Sequence, residues 1–105
     1  MYLMEYNRPE VEIRQTEHYA RWFASLRDRM TKARIDIRIR RLSLGNAGDV
    51  KTVGAGVFEL RIDYGPGYRI YFVQRGTQLV VLLAGADKGS QSRDIAMAHE
   101  LAKML

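Results

Sequence analysis

Lys51, Arg61, Arg69 and Lys88 are the side chains whose type and spacing best suit chemistry in this chain. Arg61 and Arg69 flank a Gly65-Pro66-Gly67 turn, Lys51 lies just before that hairpin, and Lys88 follows the next apolar run. A guanidinium is a planar fork of N–H donors that matches a phosphate or a carboxylate. Cleaving RNA through its own 2′-OH needs neither a metal nor a protein nucleophile. It needs the phosphate held in line, the pentavalent charge stabilised, and a proton taken and returned. Fixed guanidinium groups serve the first two needs, and a group of suitably tuned pKa serves the third. The same alternation of charge is also that of an ordinary solvated strand face, with Asp63 opposite Arg69 as a plain ion pair. On residues alone both readings stand.

Other chemistries have less to build on. His18 and His99 are far apart, and neither sits in a spaced His/Asp/Glu cluster, so no metal is expected. Each reads as a surface or boundary residue. There is no cysteine, hence no disulfide framework and no thiolate chemistry. Gly54-Ala55-Gly56 lacks the rest of a dinucleotide or phosphate-loop fingerprint and ends at a strand, and no serine sits in a nucleophile elbow. No cofactor is expected. The 105 residues carry a net charge of +5 and a pI near 9.8, which suggests a polyanion or an acidic protein as partner. Arg outnumbers Lys 13 to 4, and its fork suits phosphates, base edges and carboxylates alike. No segment approaches the roughly 18 apolar residues of a membrane span. Met1 to Pro9 has no apolar run of signal-peptide length, so a cytoplasmic location is expected. The length fits one domain over residues 1–105.

The elements that must position these cations are legible in the alternation of apolar residues. In Val57 to Phe72, Phe58, Leu60, Ile62 and Tyr64 alternate with Val57, Glu59, Arg61 and Asp63. Pro66 and Gly67 suit a tight turn, and Tyr68, Ile70 and Phe72 resume the pattern. The spacing predicts a hairpin pairing Tyr64 with Tyr68, Asp63 with Arg69 and Arg61 with Tyr71, the last two on the face away from the apolar set. Val11 to Gln15 reads as a first strand. Thr16 can cap a helix whose Tyr19, Trp22, Phe23 and Leu26 form one stripe. Met30 to Leu44 fits a strand over Ile35, Ile37 and Ile39, but a helix over its full length, with Gly45 at its C-cap; the helix is preferred. Gly45 to Gly56 reads as a loop, Arg75-Gly76 as a turn, and Leu79 to Ala84 as a strand buried on both faces. Gly85 to Gly89 reads as a loop. Ser90 or Ser92 can cap a last helix in which Ile95, Ala98, Leu101 and Leu105 share a face. The order β-α-α-β-β-β-α predicts a small α+β domain, a mostly antiparallel sheet with a helical hairpin on one side.

Several segments together resemble a known family. They are Arg40-Arg41-Leu42-Ser43-Leu44-Gly45-Asn46, Gly48-Asp49-Val50-Lys51, Gly56 to Ile62, Gly65 to Tyr71, Leu82 to Lys88, and Asp94-Ile95. In that order, from about Val11 to the C-terminus, the chain resembles the RelE/ParE superfamily of type II toxins, most closely the HigB-like addiction module killer proteins. The resemblance implies a microbial-RNase-like fold that cuts mRNA on the ribosome. It also implies an antitoxin encoded nearby, typically of helix-turn-helix type, through which the complex binds its own promoter DNA. Arg69 matches the family arginine that contacts the scissile phosphate, Arg61 matches a basic position on the preceding strand, and Lys88 falls near a basic position after the central strand. Two residues before Arg61, where ribosome-dependent members often carry a further basic residue, this chain has Glu59. It has Asp94-Ile95 where they often carry a tyrosine. The expected catalytic set is therefore Arg69, Arg61, Lys88 and Glu59, with Glu59 as general base or Asp94 in its place. Lys51, Tyr68 and Tyr71 are the expected RNA contacts. The same scaffold also carries a non-catalytic inhibitor of DNA gyrase, as in the ParE branch, and a degenerate toxin that acts only through its antitoxin.

Overall fold

The computed structural model describes residues 11–87 and 89–105. In chain order they form β1 (Glu12–Gln15), α1 (Glu17–Ser25), α2 (Arg29–Ser43), β2 (Val50–Thr52), β3 (Val57–Ile62), β4 (Tyr68–Arg75), β5 (Leu79–Asp87) and α3 (Gln91–Lys103). The five strands make one mixed sheet in the order β1-β5-β4-β3-β2, with β1 parallel to β5 and every other pair antiparallel. This is the expected α+β class, with one strand more than the sequence pattern gives.

Local chemistry sets the helix boundaries. The Thr16 hydroxyl accepts from the Tyr19 amide at 3.0 Å, opening α1, and donates to the Leu83 carbonyl at 2.6 Å. Asp28 caps α2 by accepting from the Met30 and Thr31 amides. The ambiguous Met30–Leu44 segment is a helix, and its end explains why. Gly45, at φ +87°, donates to the Leu42 carbonyl, and the next amide, of Asn46, donates to that of Arg41. This paired closure requires a residue in the left-handed region.

Two helices cover one face of the sheet and one covers the other. Tyr19 of α1 and Ile35 and Leu42 of α2 pack on Leu60, Ile62, Ile70, Phe72, Val80 and Leu82. Beneath α3, Ala98, Ile95 and Leu101 pack on Val57, Tyr71, Val73, Val81, Leu83 and Ala84. Each fully buried aliphatic side chain contributes about 1.5–3 kcal/mol by leaving water. The two layers meet in β5, where Leu83 is an extra residue: Tyr71 pairs with Ala84 but Phe72 with Leu82. This bulge puts Leu83 and Ala84 on the same face and leaves the Leu83 carbonyl to Thr16.

Four expectations need correction. The hairpin register is shifted by two residues, so Arg61 faces Arg69, Glu59 faces Tyr71 and Ile62 faces Tyr68. Tyr64 belongs to the turn, its carbonyl accepting from Gly67, with Gly65 at φ +59° and Gly67 at φ +87°. A shift of two keeps each side chain on its face but changes its partner. Within the expected loop Gly45 to Gly56, Val50–Thr52 forms an edge strand, too short to show a pattern, that pairs Lys51 with Glu59. β5 runs on through Gly85 to Asp87, paired with Ile70, Arg69 and Tyr68, and Gly85 lies under the Trp22 ring, where a Cβ would come within 2.2 Å of the ring carbons. Leu105 lies beyond α3 and is exposed rather than part of its buried face.

Candidate phosphate-binding site

The face of β3 and β4 that the alternation marks as solvated is covered by α3 over most of its length. It opens only toward the β3–β4 turn. Glu59 lies at the boundary, with no exposed surface. Five neighbours converge on its carboxylate. Oε2 accepts from the Tyr71 hydroxyl at 3.0 Å and from Nε2 of Gln91, in the first turn of α3, at 2.9 Å. Oε1 accepts from Nε of Arg61 at 3.1 Å and stands 3.7 Å from Nε of Arg69 and 3.8 Å from Nζ of Lys51.

Burial alone would push the Glu59 carboxyl up. The hydrogen bonds from Gln91, Arg61 and Tyr71, with the charge of Lys51, outweigh burial and hold it below the ordinary carboxylate range. The Tyr71 hydroxyl is pushed well above its ordinary value by its own burial and by its bond to the Glu59 carboxylate. Glu59 is thus a fixed anion.

That anion resolves an unfavourable pairing. Arg61 and Arg69 stand directly opposite each other on β3 and β4, where like charges repel. Glu59 holds one on each side of a single oxygen. Lys51 and Arg61 leave 47% and 42% of their side chains exposed, and Arg69 only 16%. The buried Nε of Arg69 has no hydrogen-bond partner among the described residues, Glu59 being too far for one. Set against Glu59, the three cations leave a local charge of +2.

Arg69 borders two open depressions. One, of about 370 Å³, also has Arg61 and the Asp63–Tyr68 turn in its wall. The other, of about 600 Å³, lies between Arg69 and the start of α3, Gly89 to Arg93. The Ser90 hydroxyl does not cap α3 but donates to Asp94 Oδ2 at 2.6 Å, so the first amides of the helix have no side-chain acceptor there. The positive end of the helix dipole adds to the field of Arg69. Arg38 of α2 steadies the other side, donating to the Arg61 carbonyl at 2.6 Å and to the Ala47 carbonyl at 3.1 Å. The arrangement can hold an anion between and beside two arginines and stabilise added negative charge on it.

Of the residues singled out from sequence, Lys51, Glu59, Arg61, Arg69 and Tyr71 come together here. Lys88 lies outside the described residues. Tyr68 is on the other face of the sheet, against the first core layer and edge-on to Trp22 at 6.5 Å, although it reaches the smaller depression. Two roles change. Tyr71 has no exposed surface on which a base could stack, and its hydroxyl serves Glu59. A general base at Glu59 would need an oxygen facing the substrate, and both oxygens are engaged inside the protein. Asp63 is exposed and pairs with neither arginine in the sheet. His99, expected at a boundary, is partly buried and meets the Val53 carbonyl at 2.9 Å, tying α3 to the β2–β3 turn. Gln91 was not visible as a site residue, since nothing in its spacing marks a contact 32 residues away. The burial of Glu59 did have a signal: it shares strand parity with Val57, and that set packs with Tyr71 and Val73.

Among the described residues no group of three or more His, Cys, Asp or Glu could hold a metal ion, and no helix is long and apolar enough to cross a membrane. Residues 21–103 match the family model described as "Phage derived protein Gp49-like (DUF891)". An uncharacterized protein of Haemophilus influenzae is 45% identical over 95 residues, covering 90% of this chain and 96% of that protein. The family match places the arginine pair, Glu59 and α3 inside the shared region, and the chain belongs to the Gp49-like family of phage-derived proteins, a family of the RelE toxin-like group.

Proposed function

We propose that the protein is the toxin of a type II toxin–antitoxin system, of the HigB-like kind, and cuts mRNA on the ribosome without a metal. The observation that carries this reading is the Arg61–Arg69 pair, set face to face across β3 and β4, held by a buried carboxylate and bordering open surface. Glu59 offsets only one of the three positive charges around it, and a phosphodiester supplies a further anion whose charge grows as the 2′-oxygen attacks.

In this mechanism Arg69 and Arg61 hold the scissile phosphate and stabilise the pentavalent state, while Lys51 and Lys88 orient the flanking backbone. Glu59 keeps the two guanidiniums in place and takes no proton. Asp94, joined to the Ser90 hydroxyl beside the larger depression, receives the 2′-OH proton as the P–O2′ bond forms and returns it to the 5′-oxygen as the P–O5′ bond breaks. A cognate antitoxin, encoded nearby, neutralises the protein and carries the complex to its own promoter.

Controlled expression of the intact chain, with primer extension on translated messages, tests this reading. Wild-type expression arrests growth and leaves mapped cuts within translated mRNA. Arg69→Ala, with its circular dichroism unchanged, abolishes both. Arrest with intact mRNA and an induced DNA-damage response would instead assign the scaffold to gyrase, and an Arg69→Ala variant as toxic as wild type would remove Arg69 from the chemistry.

A further inference from the structure

Gln91 is the one residue of α3 that reaches the buried carboxylate. Its amide donates to Oε2 of Glu59 at 2.9 Å, while Oε1 of the same carboxylate accepts from Arg61 and faces Arg69. A carboxylate is planar and rigid, so a donor that fixes one oxygen also fixes the direction of the other. Tyr71 cannot do this alone. Its one bond restrains Oε2 from a single direction, Arg61 holds Oε1 from a partly exposed side chain, and Gln91 adds the second donor on Oε2.

We infer that Gln91 is a positioning residue: through Glu59 it sets the orientation of the Arg61 and Arg69 guanidiniums, so that the arginine pair is in register only when the first turn of α3 is seated on the sheet. This deepens the function proposed above and rests on it for the identity of the substrate. The coupling itself is a property of the folded protein and can be read without RNA. Gln91 is partly buried and also lines the depression beside Arg69, so the arginine signals, read without RNA, are what isolate its effect through the carboxylate.

The experiment uses nitrogen-15 NMR of the arginine Nε–H groups in the intact chain. In the wild type, the Arg61 Nε–H that donates to Glu59 gives a resolved, shifted signal. In Gln91→Ala that signal moves toward the position of a solvated arginine and broadens, while the backbone amides of α3 remain protected from exchange. Unchanged Arg61 and Arg69 signals in Gln91→Ala, with α3 in place, overturn the inference. If Gln91→Ala does not fold, Gln91→Glu supplies the second reading. Two carboxylates at that spacing raise each other's affinity for a proton, so the Arg61 signal becomes pH-dependent at a higher pH than in the wild type. A flat signal in Gln91→Glu also overturns it.

The kinetic arm separates this inference from the proposed function. In a cleavage assay on programmed ribosomes, Gln91→Ala lowers kcat about tenfold with KM little changed, the factor equal to one hydrogen bond to a charged group. An unchanged kcat overturns the positioning role. If the wild type cuts nothing, the proposed function fails while the NMR coupling still stands or falls by its own signals.

Discussion

Replacing Glu59 by Gln removes one negative charge from the middle of three positive ones and changes little else in shape. At an effective dielectric constant of about 20, a charge 3–4 Å away is worth about 4–5 kcal/mol before solvation is counted. Lys51 and Arg61 are nearly half exposed, so each can turn toward water, and their share is largely screened. Arg69, only 16% exposed, cannot. The new amide can accept from Tyr71 or Gln91 through its oxygen, but its NH₂ group must then face another donor. Losing one charge-assisted bond and stranding one mostly buried guanidinium gives a net destabilisation of about 3 kcal/mol. For a chain of this size that lowers Tm by roughly 15 °C and leaves the protein folded. Thermal and urea unfolding followed by circular dichroism measure it. A second sign must accompany the first: millimolar inorganic phosphate raises the Tm of Glu59→Gln more than that of the wild type, because the added anion stands between the arginines in place of the carboxylate. A variant within about 0.5 kcal/mol of wild type, the range of a neutral surface change, would show that Glu59 does not hold the pair.

Acid should act through the same group. The folded carboxyl of Glu59 lies below its ordinary value of 4.5, so its contribution is fully present above that pH and is lost as pH falls through the lower folded value. Wild-type stability measured in urea therefore drops more steeply than that of Glu59→Gln below about pH 4.5; parallel pH curves would contradict this. Gly85→Ala places a methyl group 2.2 Å from the Trp22 ring, and the ring must leave its seat on β5. The expected loss is about 2–4 kcal/mol with a red-shifted tryptophan emission, and an unchanged spectrum would refute the contact.

The fold class was legible because the hairpin, the first helix and the last helix each carry a clear period. The helix of residues 29–43 was decided by Gly45, whose positive φ closes the last turn. What the pattern could not carry was register. A period of two fixes the face of Arg61 and Arg69 but not which residue stands opposite, and the choice lay in whether Tyr64 joined the strand or the turn. Glu59 carries in sequence the usual mark of a wet face, a charge in strand alternation. Its burial follows from α3, an element that returns to the sheet from more than thirty residues away. A β-bulge such as that at Leu83 has no mark in a run of apolar residues, since every shift of LVVLLA looks alike.

The anchoring of Thr16 to Leu83 carries a consequence for the order in which the chain folds. The meander β2-β3-β4-β5 joins neighbours through short turns and can close within its own stretch of chain. β1 and α1 cannot. Their seat is the far edge of β5, and the cap that starts α1 hydrogen-bonds across a sequence separation of 67 residues. Closing so long a loop is slow in entropic terms, and it is repaid only once the bulged carbonyl of Leu83 is already fixed in the sheet. The first helix in the sequence is then among the last to be secured. Pulsed hydrogen exchange would read this as protection appearing at the Tyr19 amide after the amides of β3 and β4.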